Sequence, residues 1–124
     1  MSSPRKPFGI PLPSPLADIA EVAGLDAAMK LSLERGGARF HIPVGGGDTE
    51  LVRIVGEDAA RRISARLGGE RFYIPLAKRV LILWLADQDL SQEKIALRLK
   101  CSRKTVQDVL NPPEAIPRQF RLFG

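Results

Sequence analysis

With 124 residues, the chain is long enough for one hydrophobic core or two very small ones, and too short for an elaborate multidomain enzyme. Its 19 basic and 14 acidic side chains give a net charge of +5, an excess that favours polyanionic partners. One cysteine (Cys101) and one histidine (His41) exclude an intrachain disulfide, a cysteine-based zinc cluster and a His-rich metal site, so no cofactor is expected.

The amino end, "MSSPRKPFGIPLPSP", is proline-rich and reads as a flexible arm over residues 1–15, without the apolar core of a secretion signal. The most apolar run, "VLILWLA" (Val80 to Ala86), falls far short of the ~20 residues that span a bilayer. A cytoplasmic protein with no membrane partner is expected, associated with the nucleoid of a bacterial cell.

Residues 16–75 spell one unit twice. "GGARFHIP" (Gly36 to Pro43) returns as "GGERFYIP" (Gly68 to Pro75), and Gly24–Pro43 aligns on Gly56–Pro75 without a gap, with eleven of twenty positions identical. Chance does not produce that, so the repeat is an internal duplication. In each copy a short apolar helix (Leu16–Ala23, then Leu51–Val55) ends at a glycine suited to a left-handed terminus. Asp26 or Asp58 is then placed to cap the next helix. That helix turns Ala28, Leu31 and Ser32, or Ala60, Ile63, Ser64 and Leu67, to one face, and closes on a Gly-Gly pair. Arg39-Phe40-His41-Ile42 and Arg71-Phe72-Tyr73-Ile74 then alternate strictly, so each is a short strand with Phe and Ile on one face and a polar surface shared by His41 and Tyr73 on the other. A unit of this size cannot bury its own apolar face. The predicted solution is a tandem pseudo-dimer with its two strands paired, the "VGGGDT" linker (Val44 to Thr49) allowing the reversal.

Residues 76–111 are not repeated. Ala77–Ala86 reads as an apolar helix opened by Lys78 and Arg79, with Trp84 in the core. Ser91 is an N-cap for "QEKIALRL" without a capping box, and Ser102 caps "RKTVQDVL". The spacing meets the demands of a helix-turn-helix. Ala96 is the small residue at the helix crossing; Ile95, Leu99, Cys101, Val106 and Val109 are the apolar positions; Lys100 stands in the turn where glycine is frequent. Arg103, Lys104, Gln107, Asp108 and Asn111 then face outward on the second helix, as a major-groove recognition helix requires. Arg103 and Lys104 suit guanine, Gln107 and Asn111 suit adenine, and Lys78, Arg79, Lys100 and Ser102 suit phosphates. The fold class expected is mainly α with a short two-stranded β element, the duplicated helix-helix-strand domain preceding a helix-turn-helix.

The phrase "GG-x-R-x-x-IP" after a helical pair, followed by a helix-turn-helix, resembles the Mor (middle operon regulator) family of transcription activators from Mu-like phages, over Leu16 to Leu110. The resemblance implies a dimerisation region and a carboxy-terminal helix-turn-helix that binds double-stranded DNA to activate transcription, with RNA polymerase as a further partner. Gly68, Gly69, Tyr73, Ile74 and Pro75 match the strand-and-linker motif, to which Arg39 and Arg71 also belong, and Arg103, Lys104 and Gln107 fall on the recognition helix. The family's unit occurs once per chain, which implies a homodimer; the duplication departs from that pattern.

A sequence-specific regulator of phage or mobile-element type is therefore the leading expectation, and not an enzyme: no nucleophile–base pair or phosphate-cradling loop is legible. The alternative comes from the proline-rich tail, residues 112–124. There "QFRLF" resembles the bacterial sliding-clamp-binding pentapeptide, with Gln119, Leu122 and Phe123 as the contact residues of a replication or recombination adaptor.

Overall fold

The structure, a computed structural model, describes residues 5–45 and 49–111. The tail with Gln119, Leu122 and Phe123 lies outside them. The described residues form seven α-helices and one two-stranded antiparallel sheet. No helix among them is long and apolar enough to cross a membrane. The chain divides into two compact units, one through Val80 and one from Leu81.

In the first unit each copy of the repeat folds as helix, helix, strand: α1 (Leu16–Ala23), α2 (Leu25–Arg35) and β1 (Ala38–His41), then α3 (Glu50–Val55), α4 (Glu57–Leu67) and β2 (Arg71–Ile74). One glycine joins the two helices of each copy, Gly24 at φ 98°, ψ 161° and Gly56 at φ 94°, ψ 162°. That region is essentially closed to residues with a Cβ, and it differs from the left-handed helical terminus expected from the sequence. The glycines also stand at the N-cap. Asp26 and Asp58 therefore stand not at the N-cap but in the first turn, where they complement the helix dipole. At the other end Gly36 and Gly68 pass so close to the carbonyls of Ser32 and Ser64 that a Cβ would stand 2.3 and 2.4 Å from them.

β1 and β2 pair in the register Ala38 with Ile74, Arg39 with Tyr73, Phe40 with Phe72 and His41 with Arg71. Three hydrogen bonds extend the ladder, Gly37 N–H to the Ile74 carbonyl at 2.7 Å, Gly69 N–H to the Ile42 carbonyl at 2.8 Å and Ile42 N–H to the Glu70 carbonyl at 2.8 Å. The helices pack α1 on α2 and α3 on α4 within a copy, and α1 on α4 and α2 on α3 between copies. Beneath the sheet Leu31, Ile42, Ile63 and Ile74 are fully buried and Phe40 nearly so. Phe72 and Leu67 are only half-buried, less than the alternation predicts.

Residues 5–15, read above as a flexible arm, are tied to α1. Leu12, Pro7 and Pro15 are buried, and the Leu12 amide donates to the Arg5 carbonyl at 2.8 Å. The Arg5 guanidinium bonds Asp18 and Glu21, each at 3.0 Å, and these bonds, Glu21's first, hold its pKa above the ordinary value.

The boundary at Val80 lies five residues later than the repeat alone suggests. The fully buried hydroxyl of Ser32 donates to the Pro75 carbonyl at 2.8 Å and accepts from the Ala77 amide at 3.1 Å, which ties the chain after β2 to the first copy. The division thus falls inside α5 (Lys78–Ala86). In the second unit, α6 (Gln92–Leu99) and α7 (Arg103–Leu110) pack on each other. Its buried side chains include Leu81, Ile82, Trp84, Leu85, Ile95, Leu99 and Val106. Cys101 is half-buried.

Candidate nucleic-acid interface

The hairpin of α6 and α7 is built from local rules. Ser91 accepts from the Lys94 amide at 3.2 Å and starts α6. Lys100 ends it in the left-handed conformation, φ 56° and ψ 46°. That conformation is the reason glycine is frequent at this place, and a lysine adopts it at a cost of about 1–2 kcal/mol. Its amide and that of Cys101 satisfy the last carbonyls of α6, with Cys101 N–H reaching the Ala96 carbonyl at 3.0 Å. Ser102 accepts from the Thr105 amide at 3.1 Å and starts α7. The turn between the two helices is only Lys100, Cys101 and Ser102.

On α7, Val106 is fully buried and Thr105, Val109 and Leu110 are half-buried. At about 100° per residue, Arg103, Gln107, Asn111, Lys104 and Asp108 fall in that order across an arc of about 140°. All five are exposed. The structure thus brings three of the predicted reading residues, Arg103, Lys104 and Gln107, onto one face of α7, with Asn111 at its C-cap. Lys104 Nζ stands 3.8 Å from Asp108 Oδ2, with 83% and 50% of the two side chains exposed. Such a pair contributes only ~0.3–0.5 kcal/mol, so Asp108 holds the Lys104 ammonium weakly. Between Gln92 and Asn111 five cations (Lys94, Arg98, Lys100, Arg103, Lys104) outnumber two anions (Glu93, Asp108), a local charge of +3.

Other expected residues are placed differently. Ser102 is exposed, but its hydroxyl is engaged by the Thr105 amide and stands 3.0 Å from the Thr105 hydroxyl. Its structural task is the cap. Thr105 was not singled out from the sequence; its hydroxyl three residues after a capping serine was the available signal. Lys78 and Arg79 are exposed in the first turn of α5, within the first unit. Arg39, His41, Arg71 and Tyr73 form the outer face of the two-stranded ribbon. There Arg39 stands opposite Tyr73 and Arg71 opposite His41, and all four are exposed. Tyr73, 57% exposed, is the largest aromatic surface on that face.

Comparison with protein families, with curated proteins and with solved structures returned no match to this chain.

Proposed function

We propose that the protein is a sequence-specific DNA-binding transcription regulator of phage or mobile-element type, in which α6, the turn and α7 act as a helix-turn-helix carried by a tandem pseudo-dimer. The observation that carries this reading is the exposed arc on α7. Arg103, Gln107, Asn111 and Lys104 lie together there, all exposed, on a helix that buries Val106 and whose start is fixed by a serine cap. A helix of this kind enters the major groove with its first turn toward the bases. Arg103 and Lys104 donate to guanine O6 and N7, and Gln107 and Asn111 pair with adenine, each good bidentate pair contributing ~1–3 kcal/mol of discrimination. Lys100, Lys78 and Arg79 supply phosphate contacts, which position the protein without reading sequence.

The pseudo-dimer reading is supported by the register, which sets Phe40 against its own counterpart Phe72, and by the interchange of α1 on α4 with α2 on α3. By analogy with the Mor family that the sequence resembles, the proposed direction of regulation is activation, with RNA polymerase as a further partner.

Selection of duplexes from a random pool by the full chain, followed by gel-shift titration of the enriched sequence, tests the reading. The wild type should enrich one short motif, with affinity falling steeply with salt by about 0.9 in log–log slope per neutralised phosphate. Arg103→Ala should relax preference at one base position by about 5- to 150-fold, the equivalent of ~1–3 kcal/mol. Lys78→Ala should weaken all sequences alike. Enrichment of no motif, or an unchanged titration for Arg103→Ala, would contradict it.

A further inference from the structure

We infer that the chain reads DNA as a single protomer, and that its target is one non-palindromic site rather than a pair of inverted half-sites. The inference rests on the helix-turn-helix reading above and goes beyond it by naming the class of DNA and the stoichiometry.

A two-fold protein interface is isologous: if residue i of one subunit meets residue j of the other, j of the first meets i of the second. The two copies of the repeat obey that rule within one chain. Subtracting 32 from the second-copy numbers turns the pair Ala38–Ile74 into 38 with 42, Arg39–Tyr73 into 39 with 41, and Phe40–Phe72 into 40 with itself. Gly37 N–H to the Ile74 carbonyl and Gly69 N–H to the Ile42 carbonyl are the same bond made twice, at 2.7 and 2.8 Å. The helix contacts obey it too, since α1 on α4 and α2 on α3 are exchanged by the same relation. Ile42 and its counterpart Ile74 are both fully buried, as are Leu31 and its counterpart Ile63. Each copy therefore occupies the place that a second chain would fill in a dimer of single-repeat subunits.

The reading element does not share this symmetry. α6 and α7 occur once among the described residues, after the second copy only. The segment leading to them is fastened to the first copy by the Ser32 hydroxyl on Pro75 and Ala77. After the first copy, at the position equivalent to Pro75, Pro43 leads instead toward α3. Operator palindromy mirrors the two-fold axis that relates two recognition helices. Here the two-fold relation acts on the scaffold, and a single recognition helix faces the duplex, so the bases read fall within one major-groove segment of about one helical turn, ~10 bp.

The test uses the full chain. Duplexes enriched from a random pool are sequenced, and the complex on the enriched duplex is weighed by native mass spectrometry. The expected result is a motif without internal inverted symmetry and one chain per duplex. Cutting the duplex down to the most strongly selected ~10 bp plus neutral flanks should change affinity by less than about 3-fold. An inverted repeat with half-sites ~10 bp apart, two chains per duplex and a loss of 100-fold or more on removing one half would overturn the single-site inference while leaving the DNA-reading proposal standing. Enrichment of no motif would overturn both.

Discussion

The two copies of the repeat share a backbone and differ in what covers it. At equivalent positions α2 carries Met29, fully buried, and α4 carries Arg61, exposed and paired with Glu57 and Asp58. Ser32 is fully buried and holds the Pro75–Ala77 segment, whereas its twin Ser64 is half-buried and lines a cleft of about 240 Å3 with Arg61, Glu57 and Thr49. Positions that remain alike include the buried Ala28 and Ala60 and Ile42 and Ile74, the paired Phe40 and Phe72, and also the exposed Asp26 and Asp58 and Arg39 and Arg71. Much of the helix surface has changed between the copies, as Met29 and Arg61 show. The first copy is covered by residues 5–15 and by the segment after β2, and it became the more buried of the two. The two copies thus keep their strands and helix-joining glycines alike and differ most in what covers their helices.

The largest expected effect lies on the shared face. Phe40→Ala should lower stability by ~3–5 kcal/mol, and Phe72→Ala, half-buried, by about half as much. The double variant should depart from additivity by ~0.5–3 kcal/mol because the two stand directly opposite each other. Chemical denaturation of the four proteins measures this, and full additivity would break the claim that the faces are coupled. Next come the helix-joining glycines. Gly24→Ala and Gly56→Ala should each cost about 1–3 kcal/mol, and nearly the same amount, since both sit at a φ near +95° that only glycine takes easily. Unequal losses would show that the copies differ at the hinge as well as at the surface.

Ser32 and Ser64 sharpen the contrast. Ser32→Ala strips the half-buried Pro75 carbonyl and Ala77 amide of their partner and should cost about 1–2 kcal/mol. Ser64→Ala should stay within about 0.5 kcal/mol. Thermal melting of the two variants checks the difference, and equal effects would remove the asymmetry. The smallest effect lies in the second unit. Lys100→Gly should raise stability by up to about 1 kcal/mol by relieving the left-handed turn, with the melting temperature as the measure.

Much of this was legible in the sequence where the determinants are local. Serine oxygens at helix starts, alternation of Phe and Ile with charged residues, and the Gly-Gly pairs place α6, α7, β1 and β2 to within a residue or two of where they stand. The outward face of α7 follows from the same helical spacing. Misplaced features depend on partners distant in the chain. Asp26 and Asp58 look like caps until the backbone of Gly24 and Gly56 is known. Ser32 looks like one more small residue on a helix face, because its partners lie 43 and 45 residues away. Arg5, in a stretch that composition alone marks as loose, finds Asp18 and Glu21 only once α1 has formed. Half-burial of Phe72 likewise depends on which copy the flanking segments cover.

The central claim is that the two repeats pair within one chain. Urea unfolding of the full chain over a hundred-fold range of protein concentration tests it most directly, since pairing between chains makes stability depend on concentration through mass action. Intrachain pairing predicts one midpoint at every concentration, with a single cooperative loss of the first unit. A midpoint that rises steadily with concentration would show that the strands of different chains pair instead, and would contradict the account.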